Sequence, residues 1–496
     1  MSAAIKLEPT STNDSLEGRA AALAEGLYPH QVEGVAFLLG RERGILADDM
    51  GLGKTRQAIV SIREAAPAGP WLVVCPASVK YNWAREIACV DSAVDTHIVS
   101  AADPVERDFT GWVIINYDII GRQRDTLAPI DFAGVVLDEA HYIKDHRSAR
   151  SRHVRELLDN LNGRRPVYLL TGTPITNRPR DLYPLLNVIG HPMAKSFLSF
   201  AKRYCAAVHN GFGWDTSGAS NLEELSEQLH GVLLRRTKDE VLDLPPKTRT
   251  WLDVEVSAGT AAREVRHALL DLTRSRLKQR LGQGGTDAVT AARDTGADRT
   301  RLIAGITRAR KKLAKAKIKS TIDLAEGVVA QGEKALIFSC FDEPIQKIAE
   351  HFGDAAVVVT GSTAPKKRQQ LVDRFQGDPT CQVFVANIIA GGVGLNLTAA
   401  RHVIFNDLDW VPANHWQAED RAYRIGQTAT VSVHYLVARQ TIDEFVSAVL
   451  EAKSSLVSAV VNREAIEGGA GDVLAALEEY ITTLSPRLAD TSVDQL

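Results

Sequence analysis

Two short runs in the sequence combine residue types that handle phosphate and divalent metal ions. The first, Leu46–Thr55 (LADDMGLGKT), follows an apolar run and opens a predicted helix. Backbone N–H groups at a glycine turn, with the positive end of the helix dipole, can cradle phosphate oxygens. This spacing predicts that Lys54 contacts the β- and γ-phosphates and that the Thr55 hydroxyl holds Mg²⁺. Asp48 replaces the first glycine of the general pattern, and Gly51 supplies flexibility inside the loop.

The second run places two carboxylates directly after an apolar strand candidate. It reads VVLDEAH over Val135–His141. Open α/β sheets bind ligands at the carboxyl ends of their strands. Phosphoryl transfer depends on metal charge and an aligned nucleophile. We therefore expect Asp138 to hold Mg²⁺, directly or through water, and Glu139 to orient and deprotonate the attacking water.

The scaffold that must position these runs is an α/β architecture. Residues 27–189 and 318–459 each alternate short apolar runs with amphipathic helical patterns, which is typical of parallel sheets covered on both faces. The sequence therefore predicts two α/β lobes. The strands predicted in the first are Gly44–Ala47, Trp71–Cys75, Val113–Asn116, Val135–Leu137 and Val167–Leu170. Those predicted in the second are Ala335–Ser339, Ala356–Thr360, Gln382–Ala386, His402–Asn406 and Val431–Leu436.

The chain divides into five parts on this basis. We expect an N-terminal extension (1–26), a first lobe (27–192), helical insertions with an inter-lobe linker (193–317), a second lobe (318–462) and an acidic tail (463–496). A basic run without acidic residues crosses the boundary between the linker and the second lobe. Such a run is expected either on a solvated helix face or in contact with the DNA backbone. Its basic residues are Arg299, Arg301, Arg308, Arg310, Lys311, Lys312, Lys315, Lys317 and Lys319.

Bulk composition excludes several classes of protein. With 496 residues, 45% hydrophobic and 24% charged, the chain has the make-up of a globular protein with more than one domain. A net charge of −3 excludes a global polycation, so a nucleic-acid surface must be local. The five cysteines form no C-x-x-C pair, which predicts reduced thiols and no zinc site. No apolar stretch is long enough to predict a membrane span, and the expected compartment is the cytoplasm.

The motifs together resemble those of the Swi/Snf-type DNA translocases, a group of superfamily-two helicase-related ATPases with the DEAH form at Asp138–His141. The resemblance covers most of residues 27–459. It implies two tandem RecA-like lobes of the P-loop NTPase fold, ATP and Mg²⁺ as cofactors, and movement along double-stranded DNA. Leu27–Gln31 (LYPHQ) resembles the Q motif, in which Gln31 reads the adenine edge. The nucleotide-binding residues that follow are Gln31, Asp48, Asp49, Met50, Gly51, Leu52, Gly53, Lys54, Thr55 and Gly394.

Further motifs extend the resemblance through both lobes. In the first lobe they are Val74–Ser78 (VCPAS), Ile115–Asp118 (INYD) and Leu170–Pro174 (LTGTP). In the second they are Leu336–Ser339 (LIFS), Thr360–Ser362 (TGS), Ala390–Thr398 (AGGVGLNLT) and Gln417–Gln427 (QAEDRAYRIGQ), the last being the most family-specific string. The residues expected to couple nucleotide state to DNA grip are His141, Thr171, Gly172 and Thr173.

Gln417, Arg421 and Arg424 fall at i, i+4 and i+7 of a predicted helix, and hence on one face. The resemblance implies that this face looks across the cleft at the γ-phosphate. An arginine there stabilises charge that develops in the transition state. Hydrolysis would then depend on closure of the lobes. The predicted catalytic set is Lys54, Asp138, Glu139, Gln417, Arg421 and Arg424.

Contacts to DNA are expected to be sequence-blind, because motors of this plan bind mainly phosphates. Ser, Thr and Asn side chains and helix-start N–H groups are suitable short donors. Trp83 is a nearby candidate, although an aromatic core residue on a helix is the stronger interpretation. The residues predicted to bind DNA are Ser78, Lys80, Asn116, Ser362, Arg368, Asn396 and Thr398.

Three other functions remain open at this stage. The chain could be a strand-separating or annealing helicase, a motor subunit that serves a nuclease or methylase, or a DNA-binding scaffold that does not hydrolyse ATP. Compact size and short insertions, with Arg178-Pro179 after the LTGTP motif, resemble the HARP-like branch of annealing helicases and small bacterial or phage members. We expect a monomeric core that acts on duplex DNA, either plain or forked or branched, near the nucleoid. A nuclease or a replication or repair protein is the expected kind of partner.

Overall fold

The computed structural model describes most of both predicted lobes. The residues described are 25–161, 165–175, 178–209, 211, 213–256, 304–391, 395–439, 441–444, 446–448 and 450. Predictions for the N-terminal extension before residue 25, the acidic tail, Arg299, Arg301 and Gly394 lie outside the described residues. Within the described residues, no helix has the length and apolarity needed to cross a bilayer.

The first lobe is built on a seven-stranded sheet whose strands all run parallel. The strand order is β3-β4-β2-β5-β6-β1-β9. The strands are Arg43–Leu46 (β1), Trp71–Cys75 (β2), Thr96–Ile98 (β3), Trp112–Asn116 (β4), Gly134–Asp138 (β5), Val167–Leu170 (β6) and Leu233–Leu234 (β9). A small hairpin of Val208–His209 (β7) and Trp214–Asp215 (β8) stands apart from this sheet.

The second lobe is built on a six-stranded parallel sheet in the order β10-β15-β14-β11-β13-β12. Its strands are Lys247–Val254 (β10), Ala335–Ser339 (β11), Ala356–Val359 (β12), Val383–Asn387 (β13), His402–Phe405 (β14) and Val431–Ala438 (β15). All ten strands predicted from apolar runs are confirmed, with bounds that differ by at most two residues. The predicted fold class of two parallel-sheet lobes is confirmed as well.

Both sheets are buried on both faces, as their apolar strands predict. In β2, Leu72 and Val74 belong to one core cluster, while Trp71, Val73 and Cys75 belong to a cluster on the opposite face. Side chains alternate in the same way along β11, between two clusters of the second lobe. Successive residues of a strand point to opposite faces, so a continuous apolar run fills two cores at once.

Helices cover both faces of the two sheets. In the first lobe and the segment that follows they are Pro29–Leu39, Lys54–Ala65, Lys80–Val90, Arg124–Leu127, Ala149–Asp159, Tyr183–Val188, Phe197–Tyr204, Leu222–Leu229 and Lys238–Val241. In the second lobe they are 304–316, Ile318–Ala330, Asp342–Phe352, Pro365–Gly377, Ile388–Gly391 and Pro412–Glu419. Short 3-10 turns lie at Ala77–Val79, Tyr117–Ile119, Ala140–Ile143, Pro179–Leu182, Pro192–Ala194 and Gly353–Ala355.

The segment predicted as helical insertions differs from the prediction in two respects. It contains β9 and β10, so it contributes one strand to each sheet. Phe200 and Leu225, from two of its helices, are buried in a core cluster of the first lobe. At least one residue of the basic run does not lie on a surface that could contact phosphates. Lys317 is fully buried, with its Nζ atom 2.6 Å from Asp443 Oδ2, because an ion pair inside the second lobe holds it.

Candidate functional site

The phosphate loop lies between the end of β1 and the helix Lys54–Ala65. Gly51 and Gly53 have φ angles of 86° and 74°, in the left-handed region that favours glycine. The Lys54 Nζ atom lies within the loop and donates to the carbonyl oxygens of Asp48 (2.6 Å) and Asp49 (3.0 Å). Burial lowers the pKa of Lys54, while nearby carboxylates, Glu139 foremost, act in the opposite direction.

Gln31 packs directly against this loop. Its Nε2 atom donates to the carbonyl of Leu52 (3.2 Å), and its Oε1 atom accepts from the backbone of Tyr28 (3.0 Å). A Cβ atom on Gly53 would lie only 2.1 Å from Gln31 Nε2. The Q-motif segment is therefore tied to the phosphate loop, and Tyr28 beside it is exposed.

The side chains of Asp48 and Asp49 point away from the phosphate site. Asp48 is fully buried and pairs with Arg236, with Oδ2 and Nη2 2.5 Å apart. Asp49 pairs with Arg235 at 2.8 Å. The inter-lobe segment therefore holds both carboxylates, because buried or half-buried carboxylates are retained where a cation offsets their charge. That these two residues bind nucleotide, through the backbone of the loop, stays a prediction.

Asp138 ends β5 beside the loop. Its carboxylate accepts from Trp83 Nε1 (2.7 Å) and from the backbone N–H of Glu139 (2.9 Å). Burial and the neighbouring Glu139 raise the pKa of Asp138 to about 6. Trp83 is fully buried, so the interpretation as a core aromatic is correct and a DNA contact is excluded. The hydrogen bond between Trp83 and Asp138 could not be predicted from the sequence, because the two residues are 55 positions apart.

Glu139 adopts a left-handed conformation, with a φ angle of 49°, that turns it off the end of β5. His141 Nδ1 lies 3.3 Å from Glu139 Oε2, a close contact without the geometry of a hydrogen bond. Although burial acts to raise it, the nearby His141, Lys54 and Arg421 hold the pKa of Glu139 below its ordinary value. This lowered pKa favours the ionised form of Glu139, which its predicted role as a general base requires.

Thr55 and Asp138 offer a hydroxyl and a carboxylate, which are oxygen donors of the kind that Mg²⁺ prefers. A divalent cation beside Asp138 would favour the ionised carboxylate against the raised pKa. The Lys54 ammonium is also close enough to both acids to affect their pKa values. The residues present therefore fit an Mg²⁺–nucleotide complex.

The predicted coupling residues lie under the phosphate loop. Thr171 is fully buried, and its Oγ1 atom accepts from the backbone of Thr173 (3.1 Å). Gly172 packs against Met50, where a Cβ atom would lie 2.5 Å from Met50 Cγ. Its carbonyl oxygen also accepts from Arg235 (3.1 Å). The segment Thr171–Thr173 is therefore in direct contact with the phosphate loop, and its role in coupling stays a prediction.

Two arginines of the second lobe reach the phosphate loop of the first. Arg421 Nη2 lies 3.7 Å from Met50 Sδ, and a Cβ atom on Gly51 would lie 2.6 Å from Arg424 Cβ. Both arginines also donate to the Leu395 carbonyl, at 3.2 and 3.1 Å. Burial, together with the charge of the neighbouring Arg421, lowers the pKa of Arg424 to about 10.

The prediction of one helical face for Gln417, Arg421 and Arg424 is wrong. The helix ends at Glu419, and both arginines lie in the turns that follow. Arg421 remains tied to the helix because its Nε atom donates to the Gln417 carbonyl (2.8 Å). The side chain of Gln417 is buried.

An open groove of about 740 Å³ crosses both lobes. It brings together three residues predicted to bind DNA, Ser78, Ser362 and Arg368. Arg368 donates to the carbonyl oxygens of Thr360 (3.2 Å) and Thr363 (3.4 Å), while its buried Nε atom has no partner within the described residues. The remaining residues of the lining are Pro76, Ala77, Asp118, Tyr142, Arg150, Asp342, Gln346, Thr360, Gly361, Thr363, Pro365, Asn387 and Ile389.

Other predicted DNA contacts lie outside this groove. Lys80 is buried and donates to the Val99 carbonyl (2.8 Å), so its prediction as a phosphate contact is wrong for this conformation. Asn116 is buried at the end of β4. Thr398 accepts from Gln376 (3.3 Å), and Asn396 is exposed. Sequence reasoning missed Arg150, a groove residue with no motif around it.

Two sequence families match the chain. The SNF2-related domain matches residues 30–283, and the helicase conserved C-terminal domain matches residues 316–426. Each match includes a different part of the charged site described above. The first covers the phosphate loop and the Asp138–Glu139 pair, and the second reaches Arg421 and Arg424.

Curated relatives are similar over nearly the whole chain. The Bos taurus protein named DNA annealing helicase and endonuclease ZRANB3 is 33% identical over 466 residues, which cover 90% of this chain and 42% of that protein. A Xenopus laevis protein is 33% identical over 442 residues, covering 87% of this chain and 44% of the relative. It is named SWI/SNF-related matrix-associated actin-dependent regulator of chromatin subfamily A-like protein 1. The chain thus spans less than half the length of these relatives.

A solved structure, the Sulfolobus solfataricus SWI2/SNF2 ATPase core in complex with dsDNA, is 25% identical to the chain. The TM-score is 0.41, and the match covers 88% of this chain and 93% of that one.

Proposed function

The chain belongs to the SNF2-related family, and we propose that it is an ATP-dependent motor that moves along double-stranded DNA. The observation that carries this proposal is the approach of Arg421 and Arg424, from the second lobe, to Met50 and Gly51 in the phosphate loop of the first. A nucleotide site shared between two lobes makes hydrolysis depend on how the lobes meet.

Each residue of the site has a role in hydrolysis. Lys54 and the backbone of the loop bind the phosphates of ATP, and Asp138 with Thr55 would hold Mg²⁺. When bound, this ion would supply positive charge beside the phosphate oxygens. Glu139 orients and deprotonates the attacking water. Arg421, which lies near Glu139, stabilises the charge that develops on the transferred phosphoryl group.

Duplex DNA, plain, forked or branched, is the proposed partner. The groove presents Ser78 and Arg150 on one lobe and Ser362 and Arg368 on the other. Hydroxyls and guanidinium groups suit phosphates and read no base sequence. Because the groove crosses both lobes, opening or closing the ATP cleft shifts one set of contacts against the other. We propose a monomeric core for this motor, in the bacterial or phage setting that its short insertions favour, with a nuclease or a replication or repair protein as partner.

ATPase rates against a panel of nucleic acids test the proposal. We expect little hydrolysis without nucleic acid and strong stimulation by duplex or forked DNA. Stimulation only by single strands or RNA would contradict translocation on duplex DNA. Lys54→Ala is the matched negative control, and unchanged function in that variant would favour a scaffold that does not hydrolyse ATP.

A second candidate is strand annealing, which is favoured by the similarity to the relative named DNA annealing helicase and endonuclease ZRANB3. Both functions would show ATPase stimulation by forked DNA. The two functions can be distinguished in a strand assay that uses a labelled bubble substrate coated by single-strand-binding protein. ATP-dependent closure of the bubble indicates annealing, whereas displacement of a triplex-forming strand from intact duplex indicates translocation alone.

A further inference from the structure

The segment Arg235–Arg249 connects the two sides of the ATP cleft, and we call it the linker strap. It leaves the first sheet after β9 and enters the second sheet at β10. Its cations pair with acids on both lobes, and none of these pairs was predicted from sequence. The cations are Arg235, Arg236, Lys238, Lys247 and Arg249.

On the first lobe, the strap holds the two acids that open the phosphate loop. Arg236 pairs with Asp48, and Arg235 pairs with Asp49. The backbone N–H of Lys238 also donates to Asp49 Oδ2 (3.2 Å). Met50 and Gly51, which touch the arginines of the other lobe, follow directly in the chain.

On the second lobe, the strap holds the two acids that immediately precede Arg421. Lys238 Nζ lies 2.5 Å from Asp420 Oδ1 and donates to the Tyr423 carbonyl, and both members of this ion pair are buried. Arg249 donates to both carboxylate oxygens of Glu419, at 2.7 Å each. Lys247 Nζ lies 2.9 Å from Glu419 Oε2.

Lys238 occupies the central position, because it contacts both lobes. Its backbone bonds to Asp49, beside the phosphate loop, and its side chain bonds to Asp420, beside Arg421. A Cβ atom on Gly51 would lie 3.6 Å from Lys238 Cε. One residue therefore fixes the distance between the loop that binds phosphate and the turn that carries the arginine.

We propose that Lys238 is a positioning residue for hydrolysis, which through its ion pair with Asp420 sets Arg421 against the nucleotide. This inference rests on the proposed ATPase function and names a residue with no contact to the reacting groups. Loss of the pair lets the arginine turn shift relative to the phosphate loop. ATP still binds, because the loop itself remains held by Arg235 and Arg236.

The test uses the full chain with Lys238→Met, which removes the charge and keeps most of the length. We expect the Kd for a fluorescent ATP analogue to stay within about threefold. The kcat of DNA-stimulated hydrolysis should fall by about 10²-fold, the order of loss when a catalytic group is misplaced by about 1 Å. Fluorescence transfer between labels on the two lobes should show reduced closure with the analogue bound.

Asp420→Asn removes the same ion pair by changing its member on the second lobe. This variant provides the test if Lys238→Met fails to fold. The double variant should lose no more activity than either single variant, since residues that act through one interaction are not additive. Lys317→Met is the matched control. Lys317 is equally buried and pairs with Asp443 at 2.6 Å, but entirely within the second lobe.

Three outcomes would overturn the proposal: a kcat of Lys238→Met within twofold of wild type, an equal loss in Lys317→Met, or additive losses in the double variant. Failure of the proposed function is distinguishable from these. In that case the wild-type chain itself shows no hydrolysis stimulated by DNA.

Discussion

The guanidinium of Arg421 and the sulfur of Met50 lie 3.7 Å apart although the two residues are 371 positions apart in the chain. The contact joins the turn after Glu419 in the second lobe to the phosphate loop in the first. It makes the environment of the loop depend on the position of the opposite lobe. Arg421 also lies near enough to Glu139 to help hold its pKa below the ordinary value.

Glu139→Gln should bind ATP and DNA normally but hydrolyse ATP at least ~10²-fold more slowly, because the general base is lost. Steady-state hydrolysis with duplex DNA, alongside nucleotide and DNA binding, measures this. Near-normal turnover would remove Glu139 from its proposed role.

Arg421→Ala should spare ATP binding and lower DNA-stimulated hydrolysis by ~10³-fold or more, the range for an arginine finger. Arg424→Ala should lose less of this activity, because Arg424 lies nearer to Gly51 than to the carboxylates proposed as catalytic, Asp138 and Glu139. Arg203→Ala, in an exposed ion pair with Glu224, is the control for loss of a surface arginine. A larger loss in Arg424→Ala than in Arg421→Ala would reverse this assignment.

Trp83→Phe should raise the Mg²⁺ concentration needed for half-maximal hydrolysis by about 10-fold. Residues that hydrogen-bond to a metal ligand change the affinity for the metal by that order. The change keeps an aromatic side chain, although phenyl is smaller than indole, and removes the N–H that donates to Asp138. A titration of Mg²⁺ in the ATPase assay measures it. Trp112→Phe is a matched control, because Trp112 is also fully buried but its Nε1 atom has no partner within the described residues. Equal effects of the two substitutions would argue against a specific role for Trp83.

Gly51→Ala should abolish stimulated hydrolysis. Alanine is strained at a φ angle of 86°, and its methyl group would meet Arg424 across the cleft. The comparison is Gly327→Ala, where a Cβ atom meets nothing within 4 Å. Gly327 lies inside a helix, so its substitution should slightly stabilise the fold. Wild-type hydrolysis by Gly51→Ala would show that the lobes separate there during turnover.

Glu419→Gln should make the second lobe less stable at pH 7, by about 3–5 kcal/mol, because breaking a buried ion pair leaves charges uncompensated. Although burial acts to raise it, Lys247 and Arg249 hold the pKa of Glu419 well below 4.5, its ordinary value. The stabilisation is therefore fully present above pH 4.5, and it declines progressively as the pH falls from 4.5 towards the lower pKa of the folded state. Denaturant unfolding at pH 7 and pH 4 should show a difference between wild type and variant that shrinks on acidification. A constant difference would assign the effect to packing instead.

Sequence reasoning found the strands because parallel, doubly buried strands are continuous apolar runs, such as Trp71–Cys75. It missed β10, since residues Lys247–Val254 lie at an edge, are mostly exposed and carry no apolar run. It placed the phosphate loop and the acidic pair because local spacing determines both. It misplaced Lys80, which was expected to contact DNA, and it wrongly expected Arg421 on a helical face, because contacts with distant segments fix the surroundings of both residues. Long side chains reach partners that no local pattern specifies.

The two strands of the inter-lobe segment, β9 and β10, each occupy the outermost position of a different sheet. An unprotected sheet edge is a template for association with other chains. A truncated chain that ends before Leu233, or one that begins after Val254, would expose a neighbouring strand that the whole protein covers. Fragments divided in either of these ways should therefore self-associate on expression, and a division of this protein into separately folding pieces must fall between Leu234 and Lys247, so that each piece keeps its own covering strand.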